Sequence, residues 1–215
     1  MNKNQIIIGI ISVLVLFIFL LGAYKFTGAP TVNVFPEMQK VKADDHISWS
    51  PEKKNILVEY SDFQCPTCKN FHNIFKTFEA SGSTDFEITE KVTLVYRHFP
   101  LYQIHANAMI SSYAAEAAAK QGKFFQMVDL IYSQQEKWSN LPNSKDYFVG
   151  LAKQLKLDHK KFASDMDSAD VKKKVNDDLA EGNKAGIRST PTFFLNGKKL
   201  DNISVDQFKK LLKSV

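Results

Sequence analysis

The two cysteines of this 215-residue chain both lie in one short segment, Cys65-Pro66-Thr67-Cys68. Residues three apart on a helix have Cβ atoms about 5–6 Å apart, and a disulfide needs roughly 3.8 Å, so a small adjustment closes or opens the bond. Pro66 suits the first position of a helix, and a thiol at a helix N-terminus is acidic and reactive. The segment therefore predicts a reversible disulfide, with Cys65 exposed at the helix mouth and Cys68 shielded.

The start of the predicted helix also affects the redox balance of this pair. Unpaired N–H groups and the helix dipole favour a thiolate at Cys65, and we expect the Thr67 hydroxyl to add a hydrogen bond to it. A more stable thiolate stabilises the dithiol form, which makes the disulfide a stronger oxidant. Each pKa unit corresponds to about 1.4 kcal/mol, or about 30 mV for a two-electron couple.

Three other uses of a paired-cysteine motif fit the sequence less well. A zinc site needs about four ligands, and His72 would supply only a third. Haem attachment needs a histidine directly after the second cysteine, where Lys69 stands. A purely structural disulfide would close too small a loop to stabilise the fold much. Thiol chemistry is therefore the favoured interpretation, and no metal or cofactor is expected.

Glu59 interrupts an apolar run six residues before Cys65, where burying a carboxylate is costly. If Glu59 is buried, a raised pKa would suit a proton acceptor for the Cys68 thiol. If it lies on an edge strand, its side chain faces solvent. The sequence supports these two interpretations equally, and it favours Asp62 as an ordinary turn residue.

The apolar pattern predicts an α/β domain around the motif. Apolar residues at i, i+3, i+4 and i+7 indicate a helix with one buried face, and short apolar runs between turn residues indicate strands. Asn196-Gly197 predicts a two-residue hairpin, and Ser204 with Gln207 predicts a capping box. The predicted strands cover 56–61, 92–96, 192–195 and 198–200, and the buried helix face is Phe71, Ile74, Phe75 and Phe78.

Residues 6–24 form an uncharged apolar run. As a helix it would be about 28 Å long, close to the hydrocarbon thickness of a bilayer. A cleaved signal peptide is the alternative, although its apolar region is usually about 7–15 residues long and the best cleavage position here, after Ala29, precedes Pro30. We predict an uncleaved transmembrane anchor. Residues 1–5 would be a short cytoplasmic stub, and the redox-active disulfide suits an extracytoplasmic compartment for the rest.

The remaining composition is ordinary for a globular protein, with 44% hydrophobic residues and a net charge of +5. The lysines are scattered along predicted helix faces, so no nucleic-acid-binding surface is expected. Residues 25–48 contain glycine, proline and charged residues without a period, which predicts a linker. The folded domain would then cover 49–215, with a helical insertion over about 103–186.

Three segments of the chain resemble a single family. They are YSDFQCPTC at 60–68, RHFPL at 97–101 and STPTFFLNGK at 189–198, and the likeness spans roughly residues 50–215. They resemble the DsbA-like thiol–disulfide oxidoreductases of the thioredoxin superfamily, in particular the membrane-tethered Bdb-type branch. The resemblance implies a thioredoxin fold with an all-helical insertion between the second strand and the strand after a cis proline, preceded by the transmembrane helix.

The resemblance also implies roles for individual residues. Cys65 would be the attacking cysteine, and Cys68 would resolve the mixed disulfide. Glu59 falls where the family often keeps a buried acid.

A substrate-binding wall is implied as well. Thr190-Pro191 would contain the cis peptide and present its backbone to an extended substrate, opposite Pro66 and Thr67 on the motif itself.

The favoured function is an oxidase that introduces disulfides into reduced exported proteins, with a quinone-linked membrane oxidase as the implied reoxidising partner. A reductase or isomerase would use the same site, although residues 25–48 look too short for the dimerisation region that isomerases usually need. An alternative of another class is a non-catalytic thioredoxin-fold binding module or chaperone, against which the two cysteines argue.

Overall fold

Five strands form one mixed sheet in the order β1-β3-β2-β4-β5. The computed structural model describes residues 2–26, 34–52, 54–80, 82–201 and 204–215. Strand β2 is central in this order. Strands β2 and β3 are parallel, and the other neighbouring pairs are antiparallel. The strands are β1 (His46–Trp49), β2 (Asn55–Ser61), β3 (Val92–His98), β4 (Thr192–Leu195) and β5 (Lys198–Leu200).

The helices precede, connect and follow these strands. A short 3-10 helix, Pro36–Gln39, lies before β1. The α-helices are α1 (Lys3–Phe26), α2 (Pro66–Glu79), α3 (Phe86–Lys91), α4 (Ala108–Ala119), α5 (Phe124–Ser133), α6 (Gln135–Trp138), α7 (Lys145–Gln154), α8 (His159–Asp165), α9 (Ala169–Lys184) and α10 (Val205–Lys213). Helices α4 to α9 lie between β3 and β4, so the predicted all-helical insertion is confirmed.

The central strand carries Glu59. In β2 every residue from Ile56 to Ser61 is buried, because β3 and β4 pair with its two edges and apolar clusters cover both of its faces. Glu59 lies opposite Tyr96 in β3 and Phe193 in β4. The interpretation that placed Glu59 on an edge strand, facing solvent, is therefore wrong.

Helix α2 packs on the sheet through the predicted apolar face. Phe75 and Phe78 are buried, whereas Phe71 and Ile74 are half-buried against the same cluster. The ring centroids of Phe71 and Phe208, in α10, lie 5.6 Å apart. Burying one such side chain contributes about 1.5–3 kcal/mol, so this face fixes the helix whose N-terminus carries the cysteines.

Two local signals in the C-terminal part are confirmed. Asn196 and Gly197 both have positive φ, 49° and 77°, and join β4 to β5 in the two-residue turn that such residues favour. The Ser204 side chain accepts from the Gln207 backbone N–H, and the Gln207 side chain accepts from the Ser204 N–H, which completes the capping box.

The chain divides into two units, Met1–Asn33 and Val34–Val215. The first contains α1, of which Lys3–Tyr24 is long and apolar enough to cross a membrane. The second begins inside the predicted linker, because Met38 is fully buried and β1 belongs to the sheet. The linker prediction for 25–48 therefore differs from the structure over 34–48, and residues 27–33, with the candidate cleavage position after Ala29, lie outside the described residues.

Candidate active site

Cys65 is the N-cap residue of α2, which begins at Pro66. Its backbone is extended, with φ −72° and ψ 123°, so its side chain lies where the first N–H groups of the helix point. Pro66 has no N–H to leave unpaired. The predicted helix start is confirmed.

Both thiols are free and both are buried. Cys68 is fully buried, and Cys65 is only 7% exposed, so the expectation of an exposed Cys65 is wrong. The segment before β4 covers it, and the Cys65 Sγ lies 3.4 Å from the Thr190 carbonyl oxygen. The exposed residues of the motif are Pro66 and Thr67.

The two thiols have opposite acidities. A hydrogen bond from the Cys68 thiol lowers the pKa of Cys65 to about 5, and backbone N–H groups of Cys68 and Thr67 act in the same direction against the effect of burial. Burial raises the pKa of Cys68 well above its usual value, and the neighbouring Cys65 raises it further. At neutral pH the dithiol therefore holds one thiolate, at Cys65, and one thiol, at Cys68.

Thr67 contributes differently from the sequence-based expectation. We expected its hydroxyl to bind the thiolate, but the group that lowers the pKa of Cys65 is its backbone N–H. The side chain of Thr67 is exposed. The helix start itself, rather than the residue type at position 67, supplies this hydrogen bond.

The peptide bond between Thr190 and Pro191 is cis, as the resemblance implied. Both residues are half-buried and lie directly before β4, which pairs with β2. The Thr190 hydroxyl is buried and has no hydrogen-bond partner among the described residues, so it is available to the thiolate and contributes to lowering the pKa of Cys65. The predicted opposing wall thus lies against Cys65.

Glu59 is the buried acid of the site, only 5% exposed. Ser61 donates to its Oε1 over 2.7 Å, and the Ser61 Oγ lies 3.0 Å from the Tyr132 hydroxyl. Burial raises the pKa of Glu59 to about 7, and the Cys65 charge acts in the same direction. Glu59 in turn raises the pKa of Cys68, so the two groups lie close enough for their charges to interact.

Asp62 is more than a turn residue. It is fully buried, and its carboxylate accepts from the Gln64 N–H over 2.8 Å, the Leu101 N–H over 3.0 Å and, over 2.6 Å, the His105 Nδ1. Its own N–H donates to the Cys68 Sγ over 3.5 Å. Asp62 therefore holds the loop after β3 against the motif, a function that sequence reasoning missed.

Two polar residues of the insertion hold the loop that precedes α2. Gln135 Nε2 donates to the carbonyl oxygens of Phe63, over 2.7 Å, and Cys65, over 3.1 Å. The Asn107 N–H donates to Gln64 Oε1 over 2.7 Å. No local pattern marks Gln135 or Asn107, because each partner lies more than forty positions away in the chain.

A third group that the sequence did not reveal joins β1, β3 and α4. His46 Nε2 and His98 Nε2 each lie 2.7 Å from the same oxygen of Glu116, Oε1, and these hydrogen bonds lower the pKa of Glu116 to about 2 against the effect of burial. The three ligand atoms lie within 4.8 Å of one another and could hold a metal ion. The Nδ1 of His98 is buried without a partner among the described residues, whereas metal-binding histidines usually donate from that second nitrogen. The present geometry is that of a hydrogen-bonded hub.

Among the described residues, the cysteines belong to no cluster of potential metal ligands. His72, considered above as a third zinc ligand, instead pairs its Nε2 with Asp129 Oδ1 over 3.0 Å. The motif is therefore arranged for thiol exchange: a stabilised thiolate, a shielded partner thiol, a buried acid and a backbone wall.

Comparison with protein families gives a direct match. The family model described as "Thioredoxin" covers residues 43–214, and this chain belongs to that family. Among curated proteins, the Na(+)/H(+) antiporter NhaA 1 of Mycobacterium sp. (strain KMS) is 34% identical over 162 residues, 72% of this chain and 24% of the antiporter. The chain thus spans about a quarter of the length of the curated relatives it matches.

The solved structures confirm the fold. Wolbachia pipientis alpha-DsbA1 has a TM-score of 0.69 at 20% identity, covering 83% of this chain and 94% of that one. Oxidised BdbD from Bacillus subtilis has a TM-score of 0.67 at 19% identity, covering 79% and 91%. MdbA, a thiol-disulfide oxidoreductase from Corynebacterium diphtheriae, has a TM-score of 0.60 at 17% identity, covering 80% and 96%. The predicted thioredoxin fold of the DsbA-like type is confirmed.

Proposed function

We propose that this protein is a thiol–disulfide oxidoreductase that acts as an oxidase on exported proteins through Cys65 and Cys68. The observation that carries the proposal is the Cys65 thiol at the N-terminus of α2, with its pKa lowered to about 5. Stabilising this thiolate stabilises the dithiol, so electrons flow from substrate thiols to the enzyme disulfide. MdbA, which shares the fold, is a thiol-disulfide oxidoreductase, and this likeness supports thiol–disulfide exchange.

The exchange takes place in two steps. A substrate thiolate attacks the Cys65 sulfur of the enzyme disulfide, the Cys65–Cys68 bond breaks, and Cys68 leaves with the electron pair and takes a proton. A second substrate thiolate then attacks the substrate sulfur of the mixed disulfide and releases Cys65 as a thiolate. The substrate gains one disulfide, and the enzyme becomes a dithiol.

Glu59 would supply the proton to Cys68. Burial makes a Cys68 thiolate unfavourable, and a carboxyl with a pKa of about 7 is suited to give or take a proton near neutral pH. Glu59 acts in the opposite direction when the dithiol is reoxidised. Its role is that of an acid–base group for the shielded thiol.

The surface around Cys65 suits an extended polypeptide. Pro66 and Thr67 are exposed next to Cys65 in the chain, and half-buried Thr190 lies against Cys65 on the other side. The backbone at Thr190 and Pro191 can pair with a substrate strand. The loop that Asp62 holds in place carries two exposed apolar side chains, Tyr102 and Ile104, 54% and 74% exposed. Apolar surface of this kind favours unfolded substrates.

Helix α1 would anchor the protein in the cell membrane as a single span, with the catalytic domain on the extracytoplasmic side. That compartment permits disulfides and holds reduced exported proteins as substrates. A quinone-linked membrane oxidase would reoxidise the dithiol. No nucleic acid is expected as a partner.

Trapping of the mixed disulfide tests the proposal. The oxidised wild type should oxidise a reduced peptide with two cysteines. Cys68→Ala is instead mixed with a peptide whose single cysteine forms a disulfide with glutathione: the Cys65 thiolate attacks the peptide sulfur, glutathione leaves as a thiolate, and the mixed disulfide persists because the resolving thiol is gone. Cys65→Ala should accumulate none, since Cys68 is fully buried. Equal oxidation by Cys65→Ala and the wild type would refute the proposal and favour a non-catalytic binding module.

A further inference from the structure

A cleft reaches the buried acid from the side of the domain formed by α2, α3, α5, β1 and β3. Its volume is about 600 Å³, and its lining includes Glu59, Tyr96 and Tyr132. Apart from this cleft, the Glu59 side chain is buried. The cleft is thus a connection between the carboxyl group and bulk water that does not pass Cys65.

A chain of hydrogen bonds joins Glu59 to Tyr132, which also lines this cleft. Ser61 Oγ lies 2.7 Å from Glu59 Oε1 and 3.0 Å from the Tyr132 hydroxyl. The Tyr132 ring stacks on His72, with centroids 4.8 Å apart. Hydroxyl groups can donate and accept at the same time, so both hydroxyls can pass a proton along this chain.

Tyr96 provides a second indication that water enters here. Its hydroxyl is buried and has no hydrogen-bond partner among the described residues, and Tyr96 lines the cleft beside Glu59. Buried polar groups are nearly always satisfied by protein or by ordered water. The inner end of the cleft, beside the Tyr96 hydroxyl and Glu59, is polar and therefore suits bound water.

The reaction needs such a route. While a substrate is bonded to Cys65, it covers the opening between the motif and Thr190-Pro191, and Cys68 has no exposed surface. Glu59 gives its proton to the Cys68 thiolate and becomes a carboxylate, which must regain a proton from water. A separate entrance allows this while the substrate stays bound.

We propose that this cleft is the proton route of the site, and that Ser61 and Tyr132 are positioning residues that connect Glu59 to its water. The inference rests on the proposed function. In each turnover one proton passes from water to Glu59 and from Glu59 to the Cys68 sulfur, and it returns the same way when the disulfide re-forms.

Variants of the two hydroxyls test the route in the full-length oxidised protein. Tyr132→Phe and Ser61→Ala should each lower the single-turnover rate of peptide oxidation about tenfold, a modest part of the 10²–10⁴-fold range of general acid–base catalysis. Tyr147→Phe is the matched control, because Tyr147 bonds Gln134 on the insertion and lies outside this lining. Its rate should equal that of the wild type.

Two readouts separate proton transfer from a structural defect. Imidazole, a small acid that fits the cleft, should restore most of the rate of Tyr132→Phe, while the Cys65 pKa, read from thiolate absorbance, stays unchanged. A rate lowered equally at every pH without rescue by imidazole, or a wild-type rate in both hydroxyl variants, would overturn the proposal.

The rate of peptide oxidation is also measured against pH, where the titration of Glu59 should appear as an inflection. This profile needs one further control, because other charged and titratable groups face the cleft from several elements. They are Glu52, His72, Lys76, Glu79, Glu90 and Asp129. The inflection that belongs to Glu59 should persist in His72→Gln and disappear in Glu59→Gln; its loss in His72→Gln would assign it to the imidazole and overturn the route. Absence of any peptide oxidation by the wild type would instead refute the proposed function.

Discussion

Replacing Glu59 by glutamine should stabilise the protein at neutral and alkaline pH. Burial is the main reason that the pKa of Glu59 rises from 4.5 to about 7. At about 1.4 kcal/mol per pKa unit, this difference means that ionised Glu59 destabilises the folded state by up to about 3 kcal/mol. Glutamine has nearly the same shape and can still accept the hydrogen bond from Ser61.

The sign of the pH dependence follows from proton binding. Below pH 4.5 Glu59 is protonated in both the folded and the unfolded chain, so it contributes no difference. Between pH 4.5 and about 7 the unfolded chain has lost this proton while the folded chain keeps it, so stability falls as pH rises. Glu59→Gln lacks this fall and should exceed the wild type by up to about 3 kcal/mol at pH 8.

Urea denaturation at pH 4, 6 and 8 measures the effect, with Glu87→Gln as control because Glu87 is an exposed residue of α3. The gain should be larger in the dithiol form than in the disulfide form, since the Cys65 charge adds to the raised pKa of Glu59. A Glu59→Gln variant that is no more stable than the wild type at pH 8 would refute the reasoning.

Three further predictions concern the residues around the motif. Thr190→Val should raise the pKa of Cys65 by about one unit, because a hydrogen bond to a charged group contributes about 1.5–3 kcal/mol and water replaces part of it. Absorbance of the thiolate against pH measures this pKa, and an unchanged value would exclude the Thr190 hydroxyl as a donor. Thr67→Ala should leave that pKa unchanged, because the backbone N–H acts there, and a clear rise would restore a role for the side chain. Asp62→Ala should lower the free energy of unfolding by about 3 kcal/mol, since three half-buried donors lose their buried acceptor. Denaturation by urea tests this, and a loss below about 1 kcal/mol would show that the loop is held by other contacts.

Local patterns predicted the elements that carry the motif. The apolar run at 56–61, the face of α2, the Asn196-Gly197 turn and the Ser204 capping box all depend on residues within a few positions of one another. Their physics is contained in short stretches of sequence. These elements were therefore predicted nearly to their observed bounds.

The surroundings of the thiols depend on distant contacts, which explains the errors. Cys65 is buried because Thr190, 125 positions later, lies against it. Asp62 is a buried hub because Leu101 and His105 reach it from the loop after β3. Neither contact leaves a local signal, so an exposed thiol and an ordinary turn residue were reasonable expectations.

The linker prediction for 25–48 differs from the structure over 34–48 for a similar reason. Asp45 and Lys42 make residues 34–48 look polar, yet Asp45 pairs with the buried Arg97 over 2.9 Å. Charges that are paired inside the protein resemble solvated charges in the sequence. The burial of Glu59, in contrast, follows once β2 is known to be the central strand.

The redox equilibrium of the Cys65–Cys68 pair with glutathione tests the central claim most directly. With the Cys65 thiolate stabilised as the structure indicates, the reduction potential should lie far above the value of about −270 mV for thioredoxin, at about −180 mV or higher. Such a value would make the disulfide an oxidant for exported proteins. A potential at or below about −270 mV would contradict the account and assign the site to disulfide reduction.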